Sequence, residues 1–206
     1  ATGNGQAAQK LASIFKTVYA TDLSAAQLEH AIRLPNIQYS VQPAEKTAFP
    51  GAFFDLVMVA QAVHWFRFAD FYKEVTRTAK REALLVITGY GRIAINPEVD
   101  SVIDRFYTDI IGPYWDEERR YIDEAYQTIP FPFTEIPAPS FSITNTWTLE
   151  HLLGYLQTWS AVKHYHNKNN RNPADLIRQQ LQAAWGNEEA KTVRFPLLLR
   201  IGKIHG

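Results

Sequence analysis

The first eight residues constrain the fold of this chain more than any other segment. Gly3 and Gly5 form a G-x-G arrangement that leads directly into a helical pattern, in which Ala8, Leu11 and Phe15 recur at helical spacing. Glycine lets the backbone turn tightly where a side chain would clash, and the positive N-terminal end of the following helix favours negative charge. The segment therefore predicts a tight turn that opens a helix and faces a nucleotide-type ligand.

An acidic residue follows the glycine turn at a characteristic distance. Asp22 lies 19 positions after Gly3, at the end of a short β-rich run. That spacing suits a carboxylate that accepts hydrogen bonds from both hydroxyls of a ribose. A structural alternative is that Asp22 only caps the helix that begins near Ser24. The combination of turn and acidic strand end favours the ribose role without excluding the cap.

Strand and helix patterns alternate through the first half of the chain. Phe54–Ala60 is nearly continuously apolar, which predicts a central parallel strand buried on both faces. The alternation over Ile37–Val41 predicts a strand near a sheet edge. Strands that alternate with helices favour right-handed crossovers. We therefore predict an α/β fold: a Rossmann-like three-layer sandwich with a seven-stranded, mostly parallel sheet and a helical cap.

Helical stripes predominate in the second half of the chain. Proline, capping residues and apolar spacing predict four helices, which begin at Asn96-Pro97, at Glu117 (ending at Tyr126), at Thr148 and at Asn172-Pro173. A strand is predicted over Thr192 to Ile201. We expect residues 1–206 to form a single domain. Segments at approximately 96–130 and 148–190 are predicted to form its cap.

Composition excludes several classes of function. Lysine plus arginine (21) balances aspartate plus glutamate (21), so no net charge attracts nucleic acid or an anionic membrane. The chain has no cysteine for disulfides or thiolate metal sites, and no apolar run approaches the roughly 20 residues that span a bilayer. We expect a cytoplasmic monomer or homodimer that binds a small-molecule substrate, and no nucleic acid, membrane or metal.

Two cofactor families share the glycine turn, and later segments distinguish them. Gly3, Gly5 and Ala8 satisfy the dinucleotide form G-x-G-x-x-A. The chain as a whole, however, resembles the class I, S-adenosylmethionine-dependent methyltransferases, specifically the small-molecule branch that includes trans-aconitate methyltransferases. The segments that carry the resemblance are residues 1–6, 19–24, 44–45, 54–57, 61–66 and 119–133, of which Gln61-Ala62-Val63-His64-Trp65-Phe66 is the most specific.

The resemblance implies roles for particular residues. Gly3 and Gly5 would face the carboxypropyl part of the cofactor, and Asp22 would hold its ribose. Ala44 and Glu45 would flank the adenine, and Gln61 would end the central strand beside the cofactor. The expected cofactor-binding set is therefore Gly3, Gly5, Asp22, Leu23, Ala44, Glu45 and Gln61. Such a turn normally follows a strand, so we also expect that an N-terminal segment is missing from the sequence.

His64 and Trp65 are the expected catalytic residues, because the resemblance places them at the mouth of the transfer site. A histidine in the pocket could hydrogen-bond an anionic acceptor or take a proton. The alternative is a core histidine whose nitrogens are both satisfied. A larger aromatic and basic set belongs to the predicted cap, and its expected substrate-binding members are Trp115, Arg119, Arg120 and Trp159.

Arginine recognises a carboxylate through two parallel hydrogen bonds, so Arg119 or Arg120 could clamp an acidic substrate. Surface ion pairing with Asp116 to Glu118, or with Asp123, is the alternative for each arginine. The sequence hypothesis is methyl transfer from S-adenosylmethionine to a small acceptor, through a carboxylate or hydroxyl oxygen. An NAD(P)-dependent reductase and a catalytically silent cofactor-binding protein remain as alternatives.

Overall fold

The computed structural model describes residues 1–205. Over these residues the helices are α1 (Gln6–Ala12), α2 (Ala25–Glu29), α3 (Phe68–Thr78), α4 (Pro97–Arg105), α5 (Arg120–Asp123), α6 (Leu149–Gln157), α7 (Ser160–Asn169) and α8 (Arg178–Trp185). The strands are β1 (Val18–Asp22), β2 (Ile37–Val41), β3 (Phe54–Ala60), β4 (Ala79–Tyr90), β5 (Thr134–Ile136), β6 (Ser142–Trp147) and β7 (Lys191–Lys203). Short 3-10 turns lie at Val63–Trp65, Gly112–Tyr114, Glu117–Arg119 and Pro173–Leu176, and a π turn at Phe106–Ile110.

The α/β class is confirmed, but the prediction of one seven-stranded, mostly parallel sheet is wrong in its details. In the described chain, β1 and β2 form a two-stranded parallel sheet. A mixed five-stranded sheet has the order β3-β4-β7-β5, with β6 also paired to β7. The β3–β4 pair is parallel, whereas β5 and β6 run antiparallel to β7. The long final strand, which pairs with both, makes the sheet mixed.

β3 differs from the expected central strand. It lies at one end of the strand order, paired only with β4 within residues 1–205. Val59 alone in this strand is buried, and Met58 is 36% exposed. An apolar run is typical of a strand that is buried on both faces. In β3 the packed elements do not cover both faces completely, so most of its residues stay partly exposed. The expected edge position of β2 is confirmed, since it pairs only with β1 in the described residues.

The chain divides into two compact units. The first contains Ala1–Gly89, Glu124–Pro139 and the chain from Leu198 onward, and the second contains Tyr90–Asp123 and Ser140–Leu197. Buried residues of α3 and β4, such as Phe71, Val75 and Leu85, contribute to the core of the first unit. The second unit has a helical core with Phe106, Leu152 and Leu181 fully buried. The assignment of residues 96–130 and 148–190 to a cap stays a prediction.

Local capping signals predicted three helix starts correctly, whereas the helix expected from Asn172-Pro173 begins only at Arg178, after a 3-10 turn over Pro173–Leu176. The side chains of Ser24, Asn96 and Thr148 each accept a hydrogen bond from a backbone N–H three residues later, as good N-cap residues do. The helix predicted over Glu117 to Tyr126 was wrong at its end. α5 stops at Asp123, and Ala125 and Tyr126 adopt left-handed backbone conformations with φ of 51° and 62°.

Aromatic rings pack between β1 and the start of β3. The ring of Tyr19 meets those of Phe49, Phe53 and Phe54 edge-on, with centroids 5.2–5.8 Å apart, a favourable geometry for aromatic pairs. Among the described residues no helix is long and apolar enough to cross a bilayer.

Candidate functional site

The glycine turn adopts the backbone that its sequence predicts. Gly3 and Gly5 have φ of 56° and 83°, in the left-handed region that glycine enters without strain, and Gly5 is the N-cap of α1. A Cβ on Gly5 would lie 3.1 Å from Cζ of Tyr39 and closer still to its hydroxyl oxygen. That hydroxyl donates to the carbonyl of Ile32 at 2.8 Å. Tyr39 on β2 thus packs directly against the turn and leaves room only for glycine.

Asp22 ties the end of β1 to the glycine turn. One carboxylate oxygen accepts a hydrogen bond from the Gly3 backbone N–H at 2.7 Å, and the other accepts from the Ser24 N–H at 2.9 Å. Partial burial raises the pKa of this carboxyl, but hydrogen bonds from the Ser24, Gly3 and Leu23 amides, together with the positive amino terminus, lower it by more, so that its pKa lies below 3.8. The side chain therefore carries a negative charge at neutral pH.

The structure shows two contacts of Asp22, and the ribose role expected from the sequence stays a prediction. Asp22 bonds Ser24 at the start of α2, and it also orders the turn at Gly3. Each carboxylate oxygen has two acceptor positions, so these bonds leave capacity for ribose hydroxyls. The adjacent Leu23 is 70% exposed, an unusual exposure for a large apolar side chain beside a charged group. Its side chain offers an apolar surface next to the ionised carboxylate.

The Ala44–Glu45 loop is attached to the start of α3. The Glu45 carboxylate accepts a hydrogen bond from the Arg67 backbone N–H at 3.1 Å. Two residues further on, the backbone N–H and the hydroxyl of Thr47 both donate to the buried carboxylate of Glu74 on α3. These bonds hold the loop that the resemblance assigns to adenine binding.

Gln61, His64 and Trp65 follow directly after the end of β3. Gln61 has a left-handed φ of 55°, and its N–H donates to the carbonyl of Thr88 on β4 at 2.8 Å. His64 is buried and Trp65 is 57% exposed, on one 3-10 turn. Since ligands of open α/β sheets gather at the carboxyl ends of parallel strands, this position agrees with the expected role of the segment. The exposed indole is available to a ligand, and the imidazole is packed inside.

Tyr126 joins this group, although it lies 62 residues away from His64 in the chain. Its hydroxyl lies 3.3 Å from His64 Nδ1, and the two rings stack with centroids 6.1 Å apart. A Cβ on Gly89 would lie 2.8 Å from the Tyr126 ring and 2.7 Å from Gln61 Oε1. Gly89 at the end of β4 thus allows Tyr126 and Gln61 to approach the strand closely.

Sequence reasoning did not identify Tyr126 as a site residue. Gly89 offered one usable signal, since glycine inside a strand often marks a close approach of other groups. Nothing in the residues around Ala125 marks left-handed backbone, which glycine or asparagine would normally supply. The structure brings Gly3 together with Asp22, and His64 together with Gln61 through Tyr126. The ligand roles expected for these residues stay predictions.

The four expected substrate-binding residues belong to the second unit. The Arg119 guanidinium lies over the rings of Trp115 and Tyr107, at 4.7 and 5.5 Å from their centroids, and its Nε–H donates to the Tyr107 hydroxyl at 2.9 Å. Its nearest approach to Asp123 is 3.9 Å. Aromatic stacking, rather than a tight ion pair, therefore holds this arginine.

Tyr107 connects Arg119 to an acidic group. Its hydroxyl is 2.8 Å from both carboxylate oxygens of Asp123. Burial is the main cause that raises the pKa of this phenol to about 12. Trp159 is 7% exposed and packs in the aromatic core of this unit, whereas Arg120 is exposed and stacks on Tyr121. Of the four, Trp159 is the most deeply packed and Arg120 the most accessible.

These features define an α/β protein with a tight glycine turn before α1, an ionised acidic residue at the end of β1 and a buried histidine beside an exposed tryptophan directly after β3. Residues 1–87 match the family model of a methyltransferase domain. A Dictyostelium discoideum protein, itself provisionally assigned as a methyltransferase, is 32% identical over 208 residues, which cover 98% of this chain and 79% of that protein. The chain belongs to the class I S-adenosylmethionine-dependent methyltransferases.

Solved structures agree with this assignment. A type II methyltransferase from Anaeromyxobacter dehalogenans, also provisionally assigned, is 40% identical with a TM-score of 0.91, and the match covers 99% of this chain and 87% of that one. A Bacillus halodurans structure with a provisional methyltransferase assignment is 17% identical with a TM-score of 0.56, over 100% of this chain and 90% of that one. The second likeness shows the fold alone. The resemblance to the trans-aconitate branch stays a prediction.

Proposed function

We propose that this chain transfers the methyl group of S-adenosylmethionine to a small-molecule acceptor, through a carboxylate or hydroxyl oxygen. The observation that carries the proposal is the ionised carboxylate of Asp22, oriented by the backbone N–H groups of Gly3 and Ser24. A fixed, charged acceptor at a strand end beside a glycine turn is suited to a ribose with both hydroxyls present.

The residues fit this cofactor in three respects. Asp22 retains acceptor positions for ribose hydroxyls, and the exposed Leu23 offers an apolar surface to a base. A Cβ added to Gly3 would meet nothing nearer than Gln27 Oε1 at 3.9 Å, so the backbone is open to close approach. The turn, the carboxylate and the apolar surface are the three parts that an adenosyl group with an amino-acid chain requires.

The bound cofactor would supply an electrophilic methyl group on a sulfonium. An ionised carboxylate acceptor is already a nucleophile, so the chain would need mainly to align it and exclude water. Trp65, with its exposed indole, is the group proposed to cover the acceptor. A hydroxyl acceptor must also lose a proton, and His64 is the proposed base or hydrogen-bonding group for that case.

Acceptor selection is proposed for residues of the second unit. Trp115, Arg119 and Arg120 combine aromatic surface with guanidinium groups, which would suit an acidic acceptor. Each can be tested by substitution with glutamine or leucine once an acceptor is known. We also propose a cytoplasmic location and a monomeric or homodimeric state, which size-exclusion chromatography with light scattering measures.

The first test is calorimetric titration of the 206-residue chain with S-adenosylhomocysteine, and separately with NADPH. We expect binding of S-adenosylhomocysteine alone. D22N keeps the shape of the side chain but removes its charge and replaces one acceptor oxygen with an NH2 group, which cannot accept from the Gly3 or Ser24 N–H. We expect roughly 10- to 100-fold weaker binding from the loss of these charge-assisted hydrogen bonds. The matched control is D55N, whose carboxylate makes an exposed ion pair with Lys80, and which should bind as the wild type does.

The second test is a panel of small carboxylic acids and hydroxyl compounds, with S-adenosylhomocysteine formation as the readout. Turnover with only the carboxylic acids, or with only the hydroxyl compounds, identifies which kind of oxygen accepts the methyl group. Binding of NADPH in place of S-adenosylhomocysteine would contradict the proposal and indicate a reductase. Binding without turnover on any member of the panel would contradict it in another way and indicate a silent cofactor-binding protein.

A further inference from the structure

Arg200 on β7 is a buried cation with an unusually complete set of partners. It is 8% exposed, and its Nε and one terminal nitrogen donate to the two carboxylate oxygens of Glu135, each at 2.8 Å. The other terminal nitrogen donates to the backbone carbonyls of Tyr126 at 3.0 Å and Ile129 at 2.8 Å. The guanidinium also lies 4.3 Å from the ring centroid of Phe131. All these partners belong to the segment 126–135.

The segment that Arg200 contacts begins with residues in a strained backbone conformation. Ala125 and Tyr126 are consecutive residues with positive φ, and neither is glycine or asparagine. Such conformations persist only where surrounding contacts impose them. The carbonyl of Tyr126 is held by Arg200 itself. A charged donor inserted between the carbonyls of residues 126 and 129 is a direct means of keeping the chain in this conformation.

The strained conformation determines where the Tyr126 side chain lies. The side chain is fully buried, with its hydroxyl against His64 Nδ1 and its ring against Gly89 at the end of β4. If residues 125 and 126 relaxed to ordinary helical angles, the Cα–Cβ direction of Tyr126 would change and the ring would leave this position. His64 would then lose its hydroxyl partner and its stacked ring.

We propose that Arg200 is a positioning residue for methyl transfer: by holding the carbonyls of Tyr126 and Ile129, it fixes Tyr126 against His64 and thereby fixes the orientation of the imidazole. The catalytic part of this inference rests on the proposed function, because it assigns His64 to the acceptor side of the site. The structural part concerns only the orientation of His64 and holds without a ligand.

Nitrogen-15 NMR of the imidazole groups tests the structural part in the ligand-free protein. The chain has six histidines, and the spectrum of H64Q identifies the His64 signals. In R200K the single ammonium cannot serve the carboxylate and both carbonyls in the same geometry. We therefore expect the His64 nitrogen shifts of R200K to move in the same direction as those of Y126F, which lacks only the hydroxyl.

Two further variants distinguish a specific effect of Arg200 on the position of His64 from a general loss of packing. E135Q weakens the ion pair but leaves Arg200 its two carbonyl partners, so its His64 shifts should stay at wild-type values. Ala125→Gly relieves left-handed strain, so R200K combined with A125G should recover part of the wild-type spectrum. If R200K alone does not fold, the comparison is made with this double variant and with Y126F.

Kinetics test the catalytic part, with the acceptor found in the panel. Because Asp22 and the glycine turn are untouched, we expect R200K to bind S-adenosylhomocysteine nearly as the wild type does, while kcat falls about 10- to 100-fold from misplacement of the acceptor-side group. Unchanged His64 shifts in R200K, equal changes in E135Q, or loss of kcat only in parallel with cofactor binding would each overturn the inference. If the wild type binds no S-adenosylhomocysteine, the proposed function fails while the NMR result stands.

Discussion

Glu74 on α3 holds the loop that the resemblance assigns to adenine binding, and its removal gives a stability effect with a defined pH dependence. The carboxylate is 8% exposed. It accepts hydrogen bonds from the Thr47 N–H and hydroxyl, and from Arg77 through Nη2 at 2.6 Å and Nε at 2.8 Å. Arg77 also donates to the carbonyls of Thr47 and Phe49, so the two charged residues together fasten this loop to α3.

The pKa of Glu74 indicates the size of the effect. Hydrogen bonds from Arg77 are the main cause that lowers this pKa from 4.5 to about 2, against the opposing influence of burial. At 1.36 kcal/mol per pKa unit, that difference corresponds to roughly 3 kcal/mol. Arg77 is 43% exposed, and solvent screening reduces such energies. We therefore expect E74Q to lower the free energy of unfolding by about 1–2 kcal/mol at pH 7.

The direction of the pH dependence follows from the lowered pKa. A carboxyl whose pKa is lower in the folded state than in the unfolded state stabilises the fold fully above the unfolded pKa, and loses that contribution as pH falls through the folded pKa. For Glu74 the window runs from 4.5 down to about 2. The difference between wild type and E74Q should thus be constant from pH 8 to pH 6, and roughly half of it should be lost by pH 3.5.

Urea denaturation followed by circular dichroism at several pH values measures this difference. The control is D55N, which removes an ion pair whose carboxylate is 72% exposed and whose lysine is 48% exposed. Exposed pairs of this kind contribute about 0–1 kcal/mol, so D55N should stay close to the wild type. An E74Q effect at pH 7 no larger than that of D55N, or one that does not shrink in acid, would refute the reasoning.

Three other substitutions give distinct expected results, each measured by the same denaturation assay. Gly5→Ala places a Cβ at φ 83° against the Tyr39 ring and should destabilise the fold by about 1–3 kcal/mol. It should also weaken S-adenosylhomocysteine binding. Unchanged stability would show that the turn can move away from Tyr39. Gly154→Ala, on the exposed side of α6 with no atom within 4 Å of the new Cβ, should instead stabilise by about 0.5–1 kcal/mol, and a loss would contradict the helical assignment there. Tyr72 has a buried hydroxyl with no hydrogen-bond partner within residues 1–205, so Tyr72→Phe should raise the free energy of unfolding by about 1 kcal/mol; a decrease would show that the hydroxyl has a partner, such as an ordered water.

The local conformations that sequence predicted correctly depend on short-range constraints. Gly3 and Gly5 need left-handed backbone, and that requirement is visible in the residue type alone. The hydrogen bond from the Gly3 N–H to Asp22 was not predicted, and it joins residues 19 positions apart. Caps at Ser24, Asn96 and Thr148 involve groups only three residues apart, so local sequence determines them. Helix starts and the glycine turn were therefore accessible without any tertiary information.

The parts that sequence missed depend on partners far along the chain. Residues 117–126 have a composition that suits a helix, yet the helix ends at Asp123, and the carbonyl of Tyr126 is held by a guanidinium 74 positions later. The sheet likewise becomes mixed through β7, which pairs with β5 and β6 in the antiparallel direction. Neither partner can be recognised from the residues of the segment that it reshapes.

The candidate site contains residues whose conformation is set locally and residues whose conformation is set by partners far along the chain. The proposed cofactor side, at Gly3 and Asp22, is built within the first 22 residues of the chain, and one substitution such as D22N should affect it alone. The proposed acceptor side, at His64, depends on Tyr126 and through it on Arg200. Y126F should therefore lower turnover of the acceptor and leave S-adenosylhomocysteine affinity unchanged, and an equal loss of both would contradict this separation.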